Sequence, residues 1–600
     1  MTAWSKAKRK IDFVYPGEDI QAAPKARVTL VGETQRAVEI GRARLMVTAG
    51  LFTFAFLSIS IRLVDLMVLN GALDTGPVYG AAVSQTTPTF RSDIVDRQGR
   101  TIATTLPTVN LYAEATEIID AKGAAKALIK VLPELDLVDL TRRLESNQRF
   151  IYLRRHLTPS KQIAVNTLGI PGLYFEESER RIYPYGALYS HVVGATDPDN
   201  RGKTGLELTF DKALSQRVES LELSLDTGVQ NAVRETLQAA MTRFHAVGAA
   251  GVVMDAQTGE IVSLVSLPDF DPKDNGRADA DRQFNRATLG LYEMGSTFKL
   301  FTAAMALELG VISMDSVYDA RTPLTVARYT IDDYHAEKRW LTVPEIMIHS
   351  SNIGAAKIAL DAGTPAQQTF LHQLGLLSPL DLELREVASP MYPAVWREIN
   401  TVTISYGHGI AVTPVHVVSA VSAMVNGGVL NRPTLLRRDT VYEEDRTRVI
   451  SEATSKQVRS LMRLVVTEGS GKQAEVAGYV VGGKTGSAEK LDRAGEYSED
   501  QIRTSFVAAF PMHAPRYVVL VLLDEPQGLK ETFNYTTAGW NAAPTVGRII
   551  AEIAPMLGVY PTTEQPMAPE LGTLIEASAR ISDMALAPAG TGFGGDRAAE

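Results

Sequence analysis

Apolar positions in the C-terminal part of the chain follow two spacings, and these predict the elements of its largest domain. Residues 249–256 and 260–267 are apolar stretches joined by a Gln-Thr-Gly turn, which is typical of a β-hairpin. Further strands are predicted at 480–481, 504–510 and 517–523, and helices at 295–310, 365–374 and 414–424. This order of strands, helices and strands predicts an α+β fold with an antiparallel sheet flanked by helices.

An uncharged apolar stretch near the N-terminus, residues 45–61, has a different character. As an α-helix it is about 26 Å long, close to the thickness of a hydrocarbon core, and Arg62 can snorkel at its end. Lys and Arg are concentrated before it, in the polar tail 1–44, which places that tail in the cytoplasm. A buried helix or a cleaved signal peptide are the alternatives, but the leader is long for a signal peptide and no convincing Ala-x-Ala site follows. We expect an uncleaved, single-pass membrane anchor.

At 600 residues the chain is too long for a single hydrophobic core. Between the anchor and the large domain, short strand-like and helical stretches alternate with charged, glycine-containing segments, which predicts a mixed α/β pedestal whose charged and glycine residues fix turns. The end of the chain is rich in Ala, Gly and Pro and is expected to be a flexible tail. The expected boundaries are 1–44 for the cytoplasmic tail, 45–66 for the anchor, 67–225 for the pedestal, 226–559 for the large domain and 560–600 for the C-terminal tail.

The amino-acid composition excludes several kinds of partner and site. A hydrophobic content of 45%, a charged content of 22% and a net charge of -9 describe a globular protein with no reason for a nucleic-acid partner. The absence of cysteine excludes disulfides, thiolate catalysis and cysteine-based zinc sites, and suits a bacterial envelope protein. Nine scattered histidines contain no His-Glu-x-x-His spacing, so we expect neither a metal nor a cofactor.

The segment 292–310 carries the first candidate for catalysis. Gly295 and Ser296 suit a helix start, and an apolar run would bury the helix that follows. Residues three apart share a helix face, so the amine of Lys299 would reach the hydroxyl of Ser296 and activate it as a nucleophile. Ser-x-x-Lys also begins at Ser5 and Ser487, so the spacing alone is unspecific.

Two further short motifs follow this serine within the same predicted domain. Ser350 and Asn352 form a Ser-x-Asn motif, and Lys484-Thr485-Gly486 lies downstream on a predicted strand. An earlier Lys-Thr-Gly at 203–205 precedes the serine helix, so the order of the motifs matters more than any one of them. This ordered set is the signature of penicillin-binding proteins and class A β-lactamases.

The chain resembles a class B penicillin-binding protein, in particular the division-associated peptidoglycan D,D-transpeptidases of Gram-negative bacteria. The resemblance covers most of the chain. Besides the three motifs and the anchor it rests on Arg91-Ser-Asp-Ile-Val-Asp-Arg-Gln-Gly99, Gly205-Leu-Glu207, Asn285-Arg-Ala287, Ser405-Tyr-Gly-His-Gly409 with Thr413-Pro414, and Asn426-Gly-Gly428. Such families usually have glycine at Ser92, proline at Met294 and threonine at Ser487. These departures affect fine geometry and remove no reacting group.

The resemblance implies a catalytic role for each motif. Ser296 would attack the bond between the two terminal D-alanines of a stem peptide, and Lys299 would take its proton. Ser350 and Asn352 would relay a proton to the leaving amine and hold Lys299. The backbone N–H groups of Ser296 and Ser487 would form the oxyanion hole.

The resemblance also assigns the substrate-binding residues and the fate of the acyl-enzyme. Lys484 would offer a fixed positive charge to the substrate carboxylate, with further contacts from Thr485, Gly486 and Ser487. Capture of the acyl-enzyme by an amine would make a cross-link, whereas capture by water would make a carboxypeptidase.

The implied partners follow from this reaction. They are peptidoglycan stem peptides and the lipid-linked precursor as substrates, β-lactams as covalent inhibitors, and a membrane glycan polymerase with other division proteins. The implied location is the division septum, with the anchor in the bacterial inner membrane and the catalytic domain in the periplasm.

Several alternatives stay open at the level of sequence. An elongation-specific class B transpeptidase, a β-lactam sensor and a β-lactamase share the serine motifs, and an inactive scaffold is a further possibility. The segment 478–485 also fits the P-loop pattern of an ATPase, although the residues after Thr485 are rich in turn formers where a P-loop requires a helix. His349 lies beside Ser350, but no carboxylate partner is evident that would make it catalytic. Nothing in the spacing of Asp332, Asp333 and His335 assigns them a role.

Overall fold

The computed structural model describes residues 46–60 and 91–562, with gaps at 147, 217–218, 275–276 and 492–496. The chain divides into two units, Met1–Thr87 and Pro88–Glu600. In the first unit, residues 46–60 form helix α1, whose side chains are exposed. Within the described ranges, none of the helices has both the length and the apolar character needed to cross a membrane. The expected cytoplasmic tail, the rest of the anchor, the start of the pedestal and nearly all of the C-terminal tail lie outside the described residues.

The second unit begins with a five-stranded sheet covered by short helices. Its strands are β1 (Ile94–Val95), β2 (Thr101–Ala113), β3 (Ile151–Leu157), β4 (Leu173–Ile182) and β5 (Leu221–Glu222), and its helices are α2 (Ala121–Val131), α3 (Leu137–Leu144), α4 (Pro159–Thr167), α5 (Gly205–Thr209) and α6 (Asp211–Ser215). The long strand β2 pairs with β1, β3 and β4, all antiparallel, while β1 pairs with β5 in parallel. This region has its own apolar core, beneath α2 and α3.

A buried ion cluster joins three sequence motifs of this region. Glu207 accepts hydrogen bonds from the Nε atoms of Arg91 at 2.6 Å and Arg181 at 2.7 Å. All three side chains are at most 3% exposed. Because an unpaired buried charge is strongly destabilising, each of these residues depends on the others. Charged residues that the sequence predicts to fix turns in the pedestal therefore also form a buried electrostatic core.

The larger part of the unit contains the remaining elements. Its strands are β6 (Gly248–Asp255), β7 (Ile261–Leu267), β8 (Val317–Asp319), β9 (Leu324–Val326), β10 (Tyr329–Ile331), β11 (Trp340–Thr342), β12 (Val429–Asn431), β13 (Arg446–Arg448), β14 (Gly482–Leu491), β15 (Tyr497–Phe510) and β16 (Tyr517–Asp524). Its helices are α7 (Thr227–Arg243), α8 (Ala280–Gln283), α9 (Lys299–Glu308), α10 (Val343–Ile348), α11 (Asn352–Ala362), α12 (Thr364–Gln373), α13 (Glu398–Ser405), α14 (Pro414–Val425), α15 (Glu452–Thr467) and α16 (Ala542–Met556).

An antiparallel sheet in the order β14-β15-β16-β6-β7 forms the centre of this part. Val253 and Val519 face a core shared with α7 and α16, whereas Val252 and Leu520 face the core that contains α9, α14 and α15. Both faces of the sheet are covered, so the inner strands β6 and β16 are apolar at nearly every position instead of alternating with polar residues. The predicted antiparallel sheet flanked by helices is confirmed.

The predicted elements agree with the structure except at some boundaries. The hairpin is β6 and β7, and helices α12 and α14 begin and end within one residue of their predicted limits. The strand predicted at 480–481 is wrong, because β14 begins two residues later, at Gly482. Thr485 consequently lies inside a strand, where a P-loop would open a helix, and this contradicts the ATPase alternative.

Replacing Glu207 by alanine is expected to destabilise the pedestal strongly, because Arg91 and Arg181 would remain buried without their carboxylate. The loss of one partner of a buried ion pair costs about 3–5 kcal/mol. The Arg243–Glu531 pair provides a matched control, since its side chains are 48% and 71% exposed. Glu531→Ala is expected to cost less than about 1 kcal/mol. Thermal unfolding of the two variants checks this, and equal shifts in Tm would contradict it.

Candidate active site

The candidate nucleophile lies on a tight turn that runs directly into a buried helix. Gly295–Phe298 form one 3-10 turn, and α9 begins at Lys299. The α-helix thus starts three residues after Ser296, later than the sequence predicts. Gly295 has a φ of 51°, and a Cβ there would lie 2.3 Å from the carbonyl oxygen of Ser487. Only glycine fits this close approach between the turn and β14.

Lys299 is the centre of the site. Its side chain is buried, and Nζ lies 2.8 Å from Ser296 Oγ, 2.7 Å from Asn352 Oδ1 and 2.5 Å from the carbonyl oxygen of Ser350. Burial lowers the pKa of Lys299 well below its ordinary value, and the nearby charge of Lys484 lowers this pKa further. A neutral amine can accept a proton from the serine hydroxyl, so the environment gives Lys299 the protonation state that a general base needs.

Ser350 lies between the two buried lysines. Its Oγ is 3.1 Å from Nζ of Lys299 and accepts a hydrogen bond of 2.9 Å from Nζ of Lys484. The residue occupies the break between α10 and α11 with a φ of 56°, a strained value for a non-glycine residue. The bend aims its hydroxyl at both amines, and a hydroxyl between two amines can pass a proton from one side of the site to the other.

The Lys-Thr-Gly segment lies on the edge strand β14. Burial lowers the pKa of Lys484 to about 7, so its charge is not fixed near neutral pH, in contrast to what the resemblance implies. The hydroxyls of Thr485 and Ser470 are 2.7 Å apart. Ser487 Oγ accepts a hydrogen bond of 3.2 Å from the backbone N–H of Ala538. The strand thus places its hydroxyls beside the Lys484 amine, whose charged form a bound anion would stabilise.

Close backbone packing brings β14 against the serine turn. A Cβ on Gly486 would lie 2.3 Å from the carbonyl oxygen of Met294 and 2.7 Å from Oγ1 of Thr297. The backbones of Ser296 and Ser487, expected to supply the oxyanion hole, therefore belong to segments in van der Waals contact. All eight residues named from the sequence belong to three segments that the fold brings together: the serine turn with α9, the α10–α11 junction, and β14.

Asp333 is the main residue that sequence reasoning missed. Its carboxylate accepts hydrogen bonds from Ser351 Oγ at 2.7 Å and from the backbone N–H groups of Asn352 at 2.5 Å and Ile353 at 3.0 Å. It thereby satisfies N–H groups at the N-terminus of α11, where a negative charge is also stabilising. Asp333 lies in a loop far from α11 in the sequence, so no spacing indicates this contact.

His349 has the carboxylate partner that the sequence did not reveal. Its Nδ1 lies 3.0 Å from Oε1 of Glu337, and its Nε2 lies 3.5 Å from Nη2 of Arg339. These contacts tie the end of α10 to the loop that carries Asp333, and they give His349 a structural role.

The geometry defines a class of enzyme. A serine hydroxyl, a buried lysine of lowered pKa within hydrogen-bonding distance, and a second serine that links it to another lysine form the machinery of a serine acyl-transferase. No group of His, Asp or Glu in the described part of the chain could hold a metal ion.

The chain matches two protein families. The penicillin binding protein transpeptidase domain matches residues 249–551, and the penicillin-binding protein dimerisation domain matches residues 86–236. The chain belongs to the penicillin-binding protein transpeptidases. This confirms the predicted family, and with it the predicted serine acyl-transferase reaction.

Similar proteins cover most of the chain. A probable peptidoglycan D,D-transpeptidase FtsI of Caulobacter vibrioides is 38% identical over 87% of this chain and 90% of that protein. A probable peptidoglycan D,D-transpeptidase PenA of Neisseria meningitidis is 31% identical over 80% of this chain and 86% of that protein. The peptidoglycan D,D-transpeptidase FtsI of Escherichia coli is 28% identical over 80% of this chain and 85% of that protein.

Solved structures share the fold. Penicillin binding protein 3 from Mycobacterium tuberculosis in complex with aztreonam has a TM-score of 0.63 and 24% identity, and the match covers 79% of this chain and 98% of that one. A peptidoglycan synthetase from Bifidobacterium adolescentis has a TM-score of 0.64 and 20% identity, over 80% of this chain and 98% of that one.

Replacing Asp333 by alanine is expected to slow acylation by a penicillin about tenfold or more, because misplacement of a reacting group by a fraction of an ångström is costly. Loss of the helix cap is expected to lower the free energy of unfolding by about 1–2 kcal/mol. Asp315→Ala is the control, because Asp315 is an exposed aspartate of the same part of the chain. Stopped-flow acylation kinetics would contradict the role of Asp333 if both variants reacted alike.

Proposed function

We propose that the protein is the D,D-transpeptidase that cross-links stem peptides during septal peptidoglycan synthesis. The observation that carries this proposal is the position of Lys299 Nζ, 2.8 Å from Ser296 Oγ and 2.7 Å from Asn352 Oδ1. The arrangement gives an activated serine in a family of peptide acyl-transferases. The septal assignment rests on the similarity to proteins named FtsI.

In the acylation step, Ser296 Oγ attacks the carbonyl carbon of the penultimate D-alanine while Lys299 takes the hydroxyl proton. Backbone N–H groups of Ser296 and Ser487 stabilise the oxyanion, and one such donor is typically worth about 3–4 kcal/mol. Ser350, in contact with both lysines, relays the proton to the nitrogen of the departing D-alanine. The C–N bond breaks, and the acyl group stays on Ser296 as an ester.

Recognition of the donor depends on its terminal carboxylate. Lys484, Thr485, Gly486 and Ser487 line the position for this group along β14. Because burial holds the pKa of Lys484 at about 7, a bound carboxylate shifts Lys484 toward its charged form. A bound donor therefore increases the charge on Lys484, which ties the charge of the site to substrate binding.

The second half of the reaction decides the product. An amine from a neighbouring stem peptide attacks the ester and forms the cross-link, whereas water gives a carboxypeptidase product. A β-lactam acylates Ser296 and remains bound. The complexes of the Mycobacterium tuberculosis relative with aztreonam and ampicillin support this inhibition.

The remaining assignments also belong to this proposal. We assign residues 45–66 to a membrane anchor with the N-terminal tail in the cytoplasm, which is supported by the helix at 46–60 and the basic residues before it. The periplasmic pedestal, 67–225, and the transpeptidase domain, 226–559, overlap the two family matches. The lipid-linked precursor, a membrane glycan polymerase and other division proteins are the proposed partners.

Fluorescent penicillin is expected to label the full-length protein in a membrane fraction, with the adduct confined to the peptide that contains Ser296. Ser296→Ala is expected to abolish labelling, because the ester forms on the Ser296 hydroxyl, which lies 2.8 Å from the Lys299 amine. Ser313→Ala, an exposed serine, is the control and keeps full labelling. Peptide mass mapping checks the result, and an unlabelled wild-type protein that is folded would refute the proposed function.

Depletion of the protein in its own cells is expected to block septation and give filaments, because cross-linking at the septum stops while growth of the side wall continues. Microscopy of depleted cells, together with a fluorescent fusion, measures this. Rounded cells and a signal spread over the side wall would assign the protein to elongation instead.

A further inference from the structure

The segment 405–412 runs along the turn that carries the nucleophile. Tyr292 and Val412 exchange two backbone hydrogen bonds of 3.0 Å, and Thr302 Oγ1 donates to the carbonyl oxygen of Ser405 at 2.8 Å. A Cβ on Gly407 would lie 2.1 Å from the carbonyl oxygen of Gly295. This packing fixes His408, the next residue, beside the serine turn.

Charged groups influence the His408 ring. The carboxylate of Glu293, three residues before Ser296, accepts a hydrogen bond of 2.8 Å from the backbone N–H of Gly409 and is thus held against this segment. Burial keeps the pKa of His408 below its ordinary value; Glu293 and Glu489 act to raise that pKa, and Lys299 acts to lower it. The imidazole is thus half-buried, lies on a segment held against the Glu293 carboxylate, and has a pKa that burial shifts toward the neutral form.

The cross-linking half of the reaction needs such a group. A primary amine carries a proton at neutral pH and cannot attack until it loses that proton, and it must lose a second one as the amide forms. Lys299 can accept only one proton, and it must return one to Ser296 when the ester breaks. A second base beside the serine turn removes this conflict, and neighbouring carboxylates would attract the incoming ammonium group.

We propose that His408, together with the neighbouring carboxylate of Glu293, forms the binding site for the acceptor amine and is the base that deprotonates it. This inference rests on the proposed function, because it concerns the second half of the same reaction. The substrate class is a primary ammonium group on a neighbouring peptide.

The acceptor amine loses two protons during the cross-linking step. His408 takes one proton from the ammonium group, and the freed lone pair attacks the ester carbonyl carbon. The C–N bond forms as the bond to Ser296 Oγ breaks and its electron pair returns to that oxygen. Lys299 takes the second amine proton and delivers it to Ser296 Oγ. The products are the amide, the free serine and a protonated His408, which loses its proton to solvent.

The test measures how an acyl-enzyme is discharged by two amines of different basicity. The full-length protein reacts with an N-acyl-D-alanyl thioester, whose released thiol reports acylation, and the amide and acid products are separated. D-Alanine is the acceptor that needs deprotonation; hydroxylamine is already neutral at pH 7. His408→Gln is expected to lower amide formation with D-alanine roughly a hundredfold, in the range of general-base effects, and to leave thiol release and the hydroxylamine reaction unchanged.

Further variants separate charge from structure. Glu293→Gln keeps an oxygen for the Gly409 N–H and removes only the carboxylate charge, so it is expected to raise the KM for D-alanine more than it lowers kcat. His513→Gln, an exposed histidine of the same part of the chain, is the control and changes neither reaction.

The possible results of this experiment distinguish the role of His408 from the proposed function. Equal losses of amide formation with D-alanine and hydroxylamine would show a purely structural role for His408 and overturn the inference. Unchanged discharge by D-alanine in His408→Gln, or a wild-type acyl-enzyme that D-alanine cannot discharge, would also overturn it. A wild-type protein that releases no thiol refutes the proposed function itself, so the two failures are distinguishable.

Discussion

The burial of the Lys299 amine is the constraint on which the site depends. A charged ammonium group without solvent is costly, so a fully buried lysine either loses its proton or is surrounded by acceptors. Here both happen. Oxygens of Ser296, Ser350 and Asn352 surround Nζ, and burial together with the charge of Lys484 favours the neutral form. The same low-polarity environment that makes Lys299 a base also makes the charge of Lys484 sensitive to a bound carboxylate.

Such an environment requires a rigid and well-packed scaffold. The five-stranded sheet is covered on both faces, and α9 is buried along nearly its whole length within one of the two cores. Two of the motif segments are held by backbone contacts that admit no side chain, at Gly295 and Gly486. The third, the α10–α11 junction, is held by the carboxylate of Asp333. The fold thus fixes each motif segment through residues that take no part in the reaction.

The pedestal is joined to the catalytic part by polar contacts in addition to the chain. Asp96 accepts a hydrogen bond of 2.6 Å from the hydroxyl of Thr227, at the start of α7, and Arg100 contacts Asp226 at 3.2 Å. Helix α7 packs against the central sheet. These contacts, together with the buried cluster around Glu207, show that the charged residues of the pedestal stabilise the structure. They also connect the pedestal to the helix that packs against the central sheet. Arg91 and Glu207 lie in sequence motifs, but nothing in the sequence pairs them with each other or with Arg181.

Local pattern determined most of the elements and the identity of the reacting groups. The hairpin of β6 and β7, the later strands and helices α12 and α14 follow from apolar periodicity, and the three ordered motifs name the eight site residues. Only the tertiary structure determined which polar and charged residues from different segments contact each other. The positive φ of Ser350, the support of α11 by Asp333 and the place of His408 beside Ser296 arise from contacts between segments far apart in sequence. Periodicity records which face of an element is buried, whereas the partner of a polar group depends on how the elements pack.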